Sequence, residues 1–224
     1  MATHLDLEEQ EQLDALKHFW NRWGNLITWV LIAVLGAYAA WNGWQYWERR
    51  QAGLAAALYD EVDRAAQAGD VARVERALAD MKDRYGATTY AAQAGLLGAK
   101  VLAEKGKAAE AKAALASVVD KAADDGLRAT ARLRLASLQM GDKAYDDALK
   151  TLGGSFPPPY TALAADRRGD VLLLQGKRSE AATEFGKAYQ GLAAEGGDYR
   201  RLVGMKLNAL GIDPDAGVKA GTVS

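Results

Sequence analysis

The sequence predicts an all-α protein, with a single N-terminal transmembrane helix followed by a helical-hairpin repeat domain, or α-solenoid. Three observations carry this expectation. The 25 residues from Trp23 to Trp47 contain no Asp, Glu, Lys or Arg. Downstream of them, apolar residues recur at helical spacing, and no alternating run reads as a strand. Glycines at 69, 106, 141 and 176 punctuate these helices, at intervals of 37, 35 and 35 residues.

The 224-residue chain divides on this reading into an acidic tail (1–22), the span (23–47), the repeat domain (48–211) and a disordered C-terminal tail (212–224). The acidic tail carries Asp6, Glu8, Glu9, Glu11 and Asp14 against Lys17 and Arg22. Its first ten residues read equally as helix or as solvated coil, while Leu13, Leu16 and Trp20 stripe a helix nearer the span.

The uncharged run meets the span requirement of about 20 apolar residues. Trp20 and Trp23 sit at one end, and Trp41, Trp44 and Trp47 at the other. A helix from Trp23 to Trp44 rises roughly 31 Å, which puts these five indoles at the two interfaces of a hydrocarbon core about 30 Å thick. Ala37-Tyr38-Ala39 resembles a signal-peptide cleavage site. The long acidic segment before the run is not a secretory n-region, however, so an uncleaved anchor is expected. Ala33 with Ala37, Gly36 with Ala40, and Ala39 with Gly43 form small-xxx-small pairs that permit close helix packing in lipid, and read equally as incidental lipid-facing residues.

Charge leaves the orientation open. Lys17 and Arg22 precede the span and Arg49, Arg50 and Arg64 follow it, a small lean towards a cytoplasmic C-terminus. Long domains translocate largely regardless of such a difference.

After the span, Leu54, Leu58, Val62 and Ala65 mark a helix that Gly69-Asp70 ends. Val71, Val74, Leu78, Met81 and Tyr85 mark the next, up to Gly86. A second pair is striped by Ala92, Gly95, Leu96, Ala99, Leu102 and Ala103, then by Ala108, Ala111, Leu115, Val118 and Val119. A third runs from Leu127 to Leu138 and, after Gly141-Asp142, through Tyr145, Ala148 and Leu152. Pro157-Pro158-Pro159 predicts an extended connector, flanked by Phe156 and Tyr160. A fourth pair starts at Tyr160 and resumes after Gly176, and a short helix from Tyr199 to Leu210 caps the array.

A period near 35 residues means stacked hairpins, and the tetratricopeptide unit of about 34 residues is the nearest standard repeat. Its small and large positions fall on Ala99, Gly106, Ala111, Leu115 and Val118 in the second unit, and on Gly169, Gly176, Ala181, Phe185 and Ala188 in the fourth. The first and third units fit less closely. In the third, extra residues in the turn give Ala148 the role of Ala111.

The residue inventory points away from chemistry. There is no cysteine, and both histidines, His4 and His18, precede the span. The repeat domain therefore lacks the commonest general base, and the chain lacks any thiolate. Asp124-Asp125 and Asp146-Asp147 sit where helix starts need capping. Gly153-Gly154-Ser155 and Gly196-Gly197-Asp198 lack the strand–helix context of phosphate loops. A formal net charge of −1 with no basic run argues against nucleic acid. No enzyme, metal or cofactor is expected. Stacked hairpins instead offer an extended protein-binding surface.

Several stretches carry a family resemblance: Glu8-Glu9-Gln10 with Leu13, Leu16 and Trp20; Trp44-Gln45-Tyr46-Trp47; Tyr90-Ala91-Ala92; Ala129 to Leu138; Arg168-Gly169-Asp170; and Met205-Lys206-Leu207. In this order, over nearly the whole chain, the sequence resembles the YfgM-like ancillary subunits of the bacterial Sec translocon, tetratricopeptide repeat-like proteins of the inner membrane. The resemblance implies a cytoplasmic tail, one span, a periplasmic repeat domain and no catalysis. It also implies contact with the translocon and with a membrane-anchored periplasmic chaperone of the prolyl-isomerase type. The expected function is a docking module for protein export. The alternatives are a regulatory protein whose acidic tail sequesters a soluble signalling partner, and a general envelope scaffold.

Overall fold

The computed structural model describes residues 7–192 and 197–214. Among the described residues there are nine helices and no strand. They are α1 (Leu7–Gln67), α2 (Val71–Tyr85), α3 (Thr89–Glu104), α4 (Ala108–Lys121), α5 (Asp125–Gly141), α6 (Tyr145–Leu152), α7 (Pro158–Leu174), α8 (Arg178–Gly191) and α9 (Gly197–Ala209). The chain divides into two compact units, Met1–Gln51 and Ala52–Ser224. The first is the helical stretch holding the apolar run. In the second, the end of α1 pairs with α2, α3 with α4, α5 with α6 and α7 with α8, and α9 follows alone.

Each hairpin turns in the same way. A residue in the left-handed region closes the first helix, at Gly69 (φ 67°), Gly106 (φ 77°), Lys143 (φ 60°), Gly176 (φ 79°) and Gly211 (φ 83°). The next backbone N–H then reaches back five residues, as in Asp70 to Ala65 (3.0 Å), Lys107 to Leu102 (2.8 Å), Ala144 to Gln139 (2.8 Å), Lys177 to Leu172 (2.9 Å) and Ile212 to Leu207 (3.1 Å). This is the Schellman closure, which satisfies carbonyls that the helix end would otherwise leave open.

The third turn corrects the glycine frame read from sequence. Gly141 is the last residue of α5, and the left-handed position falls two residues later, on Lys143. Counted from the left-handed residues, the turns lie 37, 37, 33 and 35 residues apart, and every unit comes into register. Seven residues before each turn is a buried small or β-branched residue: Val62, Ala99, Ala136, Gly169 and Gly204. Five residues after the first four turns are Val74, Ala111, Ala148 and Ala181, all 0% exposed. Nine after come Leu78, Leu115, Leu152 and Phe185, of which the last three are fully buried. Ala148 does occupy the place of Ala111. The fifth turn, at Gly211, makes α9 the first helix of a fifth unit, in which Gly204 takes the small position.

Two further readings change. Leu54 is half exposed, and Ala55 is the buried residue at this level of α1. Pro158 and Pro159 are helical, not extended. Pro157 precedes α7, and the two prolines occupy its first positions, where a missing N–H costs nothing and a fixed φ suits the helix. The extended stretch is Ser155 to Pro157. Arg132 donates to the Ser155 carbonyl (2.9 Å) and lies over the Phe156 ring. Of the expected C-terminal tail, residues 215–224 lie outside the described residues, as do the first six residues of the acidic tail.

The core is a chain of overlapping clusters. Met81, Tyr85 and Ala94 join α1, α2 and α3. Leu102, Leu115 and Leu135 join α3, α4 and α5. Leu152 and Val171 join α5, α6 and α7, and Phe185, Val203 and Leu207 join α7, α8 and α9. Leu78 and Leu149 each belong to more than one cluster, the nearest-neighbour stacking of a solenoid.

Lys143 is the only non-glycine with positive φ among the described residues, and a side chain there costs about 1 kcal/mol. Lys143→Gly is expected to raise the urea midpoint by an amount worth about 1 kcal/mol, whereas Gly106→Ala and Gly176→Ala should each lower stability by about 1 kcal/mol or more.

Candidate interaction surfaces

Three surfaces are built by this fold. The first is the apolar face of α1. One window of this helix is long and apolar enough to cross a membrane, and almost none of it is buried. Trp20, Trp23, Trp41, Trp44 and Trp47 are all exposed, with the rings of Trp44 and Trp47 5.6 Å apart. Ala33, Gly36, Ala37 and Ala40 are exposed along the same helix. Two polar side chains within the run bond to their own helix, Thr28 to the Gly24 carbonyl (2.8 Å) and Asn42 to that of Tyr38 (2.9 Å). Such back-bonding is what hydrocarbon demands of a polar side chain.

The second surface is formed by the first helix of each hairpin, and its positions recur from unit to unit. Six residues before the turns stand Asp63, Lys100, Ser137, Asp170 and Met205. At its C-terminal end lies a buried charge that the sequence reading missed. Asp166, 2% exposed, accepts from Tyr199 Oη and Lys206 Nζ, each at 2.7 Å. Lys206 also donates to Asp170 (2.7 Å) and lies 5.1 Å from the centre of the Phe185 ring. Two carboxylates thus hold one ammonium between α7 and α9.

Burial raises the Asp170 carboxyl above its ordinary range, with the Lys206 contact opposing. Burial and the bond to Asp166 push the Tyr199 hydroxyl up, so that it stays a donor. Glu184 on α8 is the opposite case. Burial would raise it, but hydrogen bonds from Lys187 and Arg168 outweigh that and hold it below the ordinary carboxylate value.

The third surface is a cleft of about 340 Å³ between α2 and α4, floored by α3. Its walls include Leu78, Met81, Ala113, Ala114 and Val118. Gly95 lies in the floor, where a Cβ would stand 2.5 Å from Val118 Cγ2, and beside it a Cβ on Gly98 would stand 2.4 Å from Leu78 Cδ1. The helices on both sides therefore approach α3 closely.

The repeat-signature residues are brought together as a packing set. Ala99, Ala111, Leu115, Ala181, Phe185 and Ala188 are 2% exposed or less. A Cβ on Gly169 would lie 2.5 Å from Phe185. Gly106 and Gly176 supply the left-handed turns. None of these lines a catalytic constellation. Asp124 accepts from the Leu127 N–H at 2.7 Å as the cap of α5. Among the described residues, no group of three or more His, Cys, Asp or Glu could hold a metal ion. The sequence signal for Asp166 was slight, a lone carboxylate in the small-residue run Ala164-Ala165-Asp166 whose partners lie 33 and 40 residues away.

The tetratricopeptide repeat-like domain family matches residues 17–212. A protein of Neisseria gonorrhoeae named Ancillary SecYEG translocon subunit is 28% identical over 214 residues, covering 94% of this chain and all of the relative. A protein of the same name from Escherichia coli is 31% identical over 183 residues, 79% of this chain and 85% of the relative. Another from Haemophilus influenzae is 28% identical over 205 residues, 91% and 98% of the two chains.

Removing one member of a buried ion pair leaves the other charge uncompensated. Lys206→Met is therefore expected to destabilise α9 and its contacts by about 3 kcal/mol, and the double change Asp166→Leu with Lys206→Met to recover most of that. Glu184 contributes stability above its ordinary pKa that is lost as pH falls through its lowered folded value. Glu184→Gln should flatten that part of the acid limb in a pH series of denaturation midpoints.

Proposed function

We propose that this chain, which belongs to the tetratricopeptide repeat-like family of the ancillary SecYEG translocon subunits, is a membrane-anchored docking module of the secretion channel. The observation that carries this reading is the collinear match. Named relatives align across the apolar helix and the repeat domain together, so the anchor and the surface are retained as one unit. A repeat array tied to the bilayer works by position: its partners are met in two dimensions, and each weak contact gains from the raised effective concentration.

The tail at the N-terminus is cytoplasmic on this reading, and the repeat domain periplasmic. The exposed tryptophans at both ends of the run supply interfacial anchors, with their indole N–H groups at headgroup level. The small-residue face at Ala33, Gly36, Ala37 and Ala40 is a candidate contact with a channel helix. The repeat domain receives export-associated chaperones, among them a membrane-anchored prolyl-isomerase-type protein, and passes them towards emerging clients. Its role is binding without bond-making or bond-breaking.

Solubilisation in mild detergent followed by affinity purification of the full chain should recover channel subunits and the chaperone together. Deleting residues 1–21 should leave that recovery intact. Consistent absence of both channel and chaperone would overturn the proposal, and loss of a cellular phenotype on tail deletion with the complex preserved would point to a regulatory role for the tail.

A further inference from the structure

We infer that the cleft between α2 and α4 is a docking slot for an amphipathic helix of a partner protein. That helix inserts large apolar side chains from one face and carries an acidic first turn and a basic last turn. This surface is distinct from the one formed by the first helix of each hairpin, and the inference does not require the secretion channel to be the partner.

The repeat frame shows what is special about this slot. Eleven residues before the turn, α3 carries Gly95, where α5 carries Arg132 and α7 carries Ala165. Four residues earlier, Ala91 stands where α5 has Arg128. In the neighbouring unit the corresponding cleft is open but polar: Arg128 and Arg132 line it with Asp120 and Asp125, and Arg132 reaches the Ser155 carbonyl. The α2/α4 slot instead has an apolar floor and walls of Leu78, Met81 and Val118. Its volume, about 340 Å³, accepts a few side chains and not a whole helix, which is about 10 Å across. The occupant must therefore lie along the rim and project residues inwards, as in groove recognition by i, i+3 and i+4 anchors.

Charge fixes the direction of that helix. Both walls run the same way, since each is the second helix of its hairpin. Glu75 and Glu110 line the end near the N-termini of α2 and α4, and Lys107 bridges to Glu75 at 2.5 Å, leaving that end with one net negative charge. Lys82 lines the opposite end, and the Lys121 ammonium lies 3.3 Å from where a Cβ on Gly86 would be, leaving that end positive by two.

A helix antiparallel to the walls sets its basic last turn against the acids and its acidic first turn against the lysines. Its macrodipole then opposes those of α2 and α4. A parallel helix with the same charges meets like charge at both ends.

The test uses the full chain in lipid nanodiscs, with empty discs subtracted. The probe is a synthetic fluorescent peptide of roughly 18 residues, above the length at which isolated helices become marginal. It carries Glu in its first turn, Lys in its last, and two leucines four residues apart on an alanine background. Fluorescence anisotropy should show saturable binding, at least tenfold weaker when both leucines become serine and tenfold weaker for Ala113→Arg at the exposed rim. Glu110→Lys should weaken it several-fold. Leu174→Arg, on another face, should leave it unchanged.

Circular dichroism establishes that each variant is folded, and Ala79→Arg on the opposite wall replaces Ala113→Arg if that variant is not. Absence of peptide binding, or binding indifferent to both arginine substitutions, overturns the inference. So does self-association abolished by Ala113→Arg, which would assign the slot to a second copy, or capture of anilinonaphthalene sulfonate that the peptide cannot displace, which would assign it to a small apolar ligand.

Discussion

The close approach of two helices across a small residue, seven positions before a left-handed turn, is the constraint on which the repeat domain depends. Where Gly169 faces Phe185, a Cβ would stand only 2.5 Å from the ring. The aromatic residue fills the space because the opposite helix offers no side chain there. The turn sets the register that brings these positions together, and the backbone bond reaching back five residues closes each helix without a side-chain cap. Every unit repeats this arrangement with different residues, and the clusters overlap from one unit to the next. Stability is thus a sum of short-range terms, and a local change in one turn is felt chiefly by its neighbours.

Because the packing rule is the same throughout, departures from it mark what is individual in this chain. The buried Asp166 with Lys206 and Tyr199 adds charge and hydrogen bonds to the apolar contacts between α7 and α9. The glycines of α3 work the other way. Gly98 lets Leu78 approach, and Gly95 lets Val118 approach, so both walls close upon α3 while the space between them stays open. Arginines at the corresponding places in α5 make the next cleft polar. A surface suited to a partner therefore arises from small residues in a single helix.

Much of this was legible in the sequence because it rests on periodicity and composition. The apolar run, the tryptophans at its ends and the stripes of each helix depend on residue type alone, and they predict the helices, while the family rests on the resemblance of particular stretches. What escaped depends on geometry. Glycine punctuation pointed to Gly141, but the third turn uses Lys143, since a lysine can adopt the left-handed region at a modest cost that sequence does not display. Gly204 and Gly211 were visible as letters. Their role as a fifth unit emerged only once the other turns were in register.

Three consecutive prolines read as a break, yet two of them begin α7, where the missing N–H is free. Asp166 carries no distinguishing signal in the sequence because its partners belong to a helix more than 30 residues on.

The central claim is that the anchor holds the repeat domain on the far side of the inner membrane, beside the channel, as a binding surface. Protease treatment of intact spheroplasts, followed by detection of epitopes placed at the two ends of the chain, tests it most directly. The account predicts that the repeat domain is digested from outside while the N-terminal epitope survives until the membrane is lysed. A repeat domain protected in intact spheroplasts and cleaved only after lysis would contradict it.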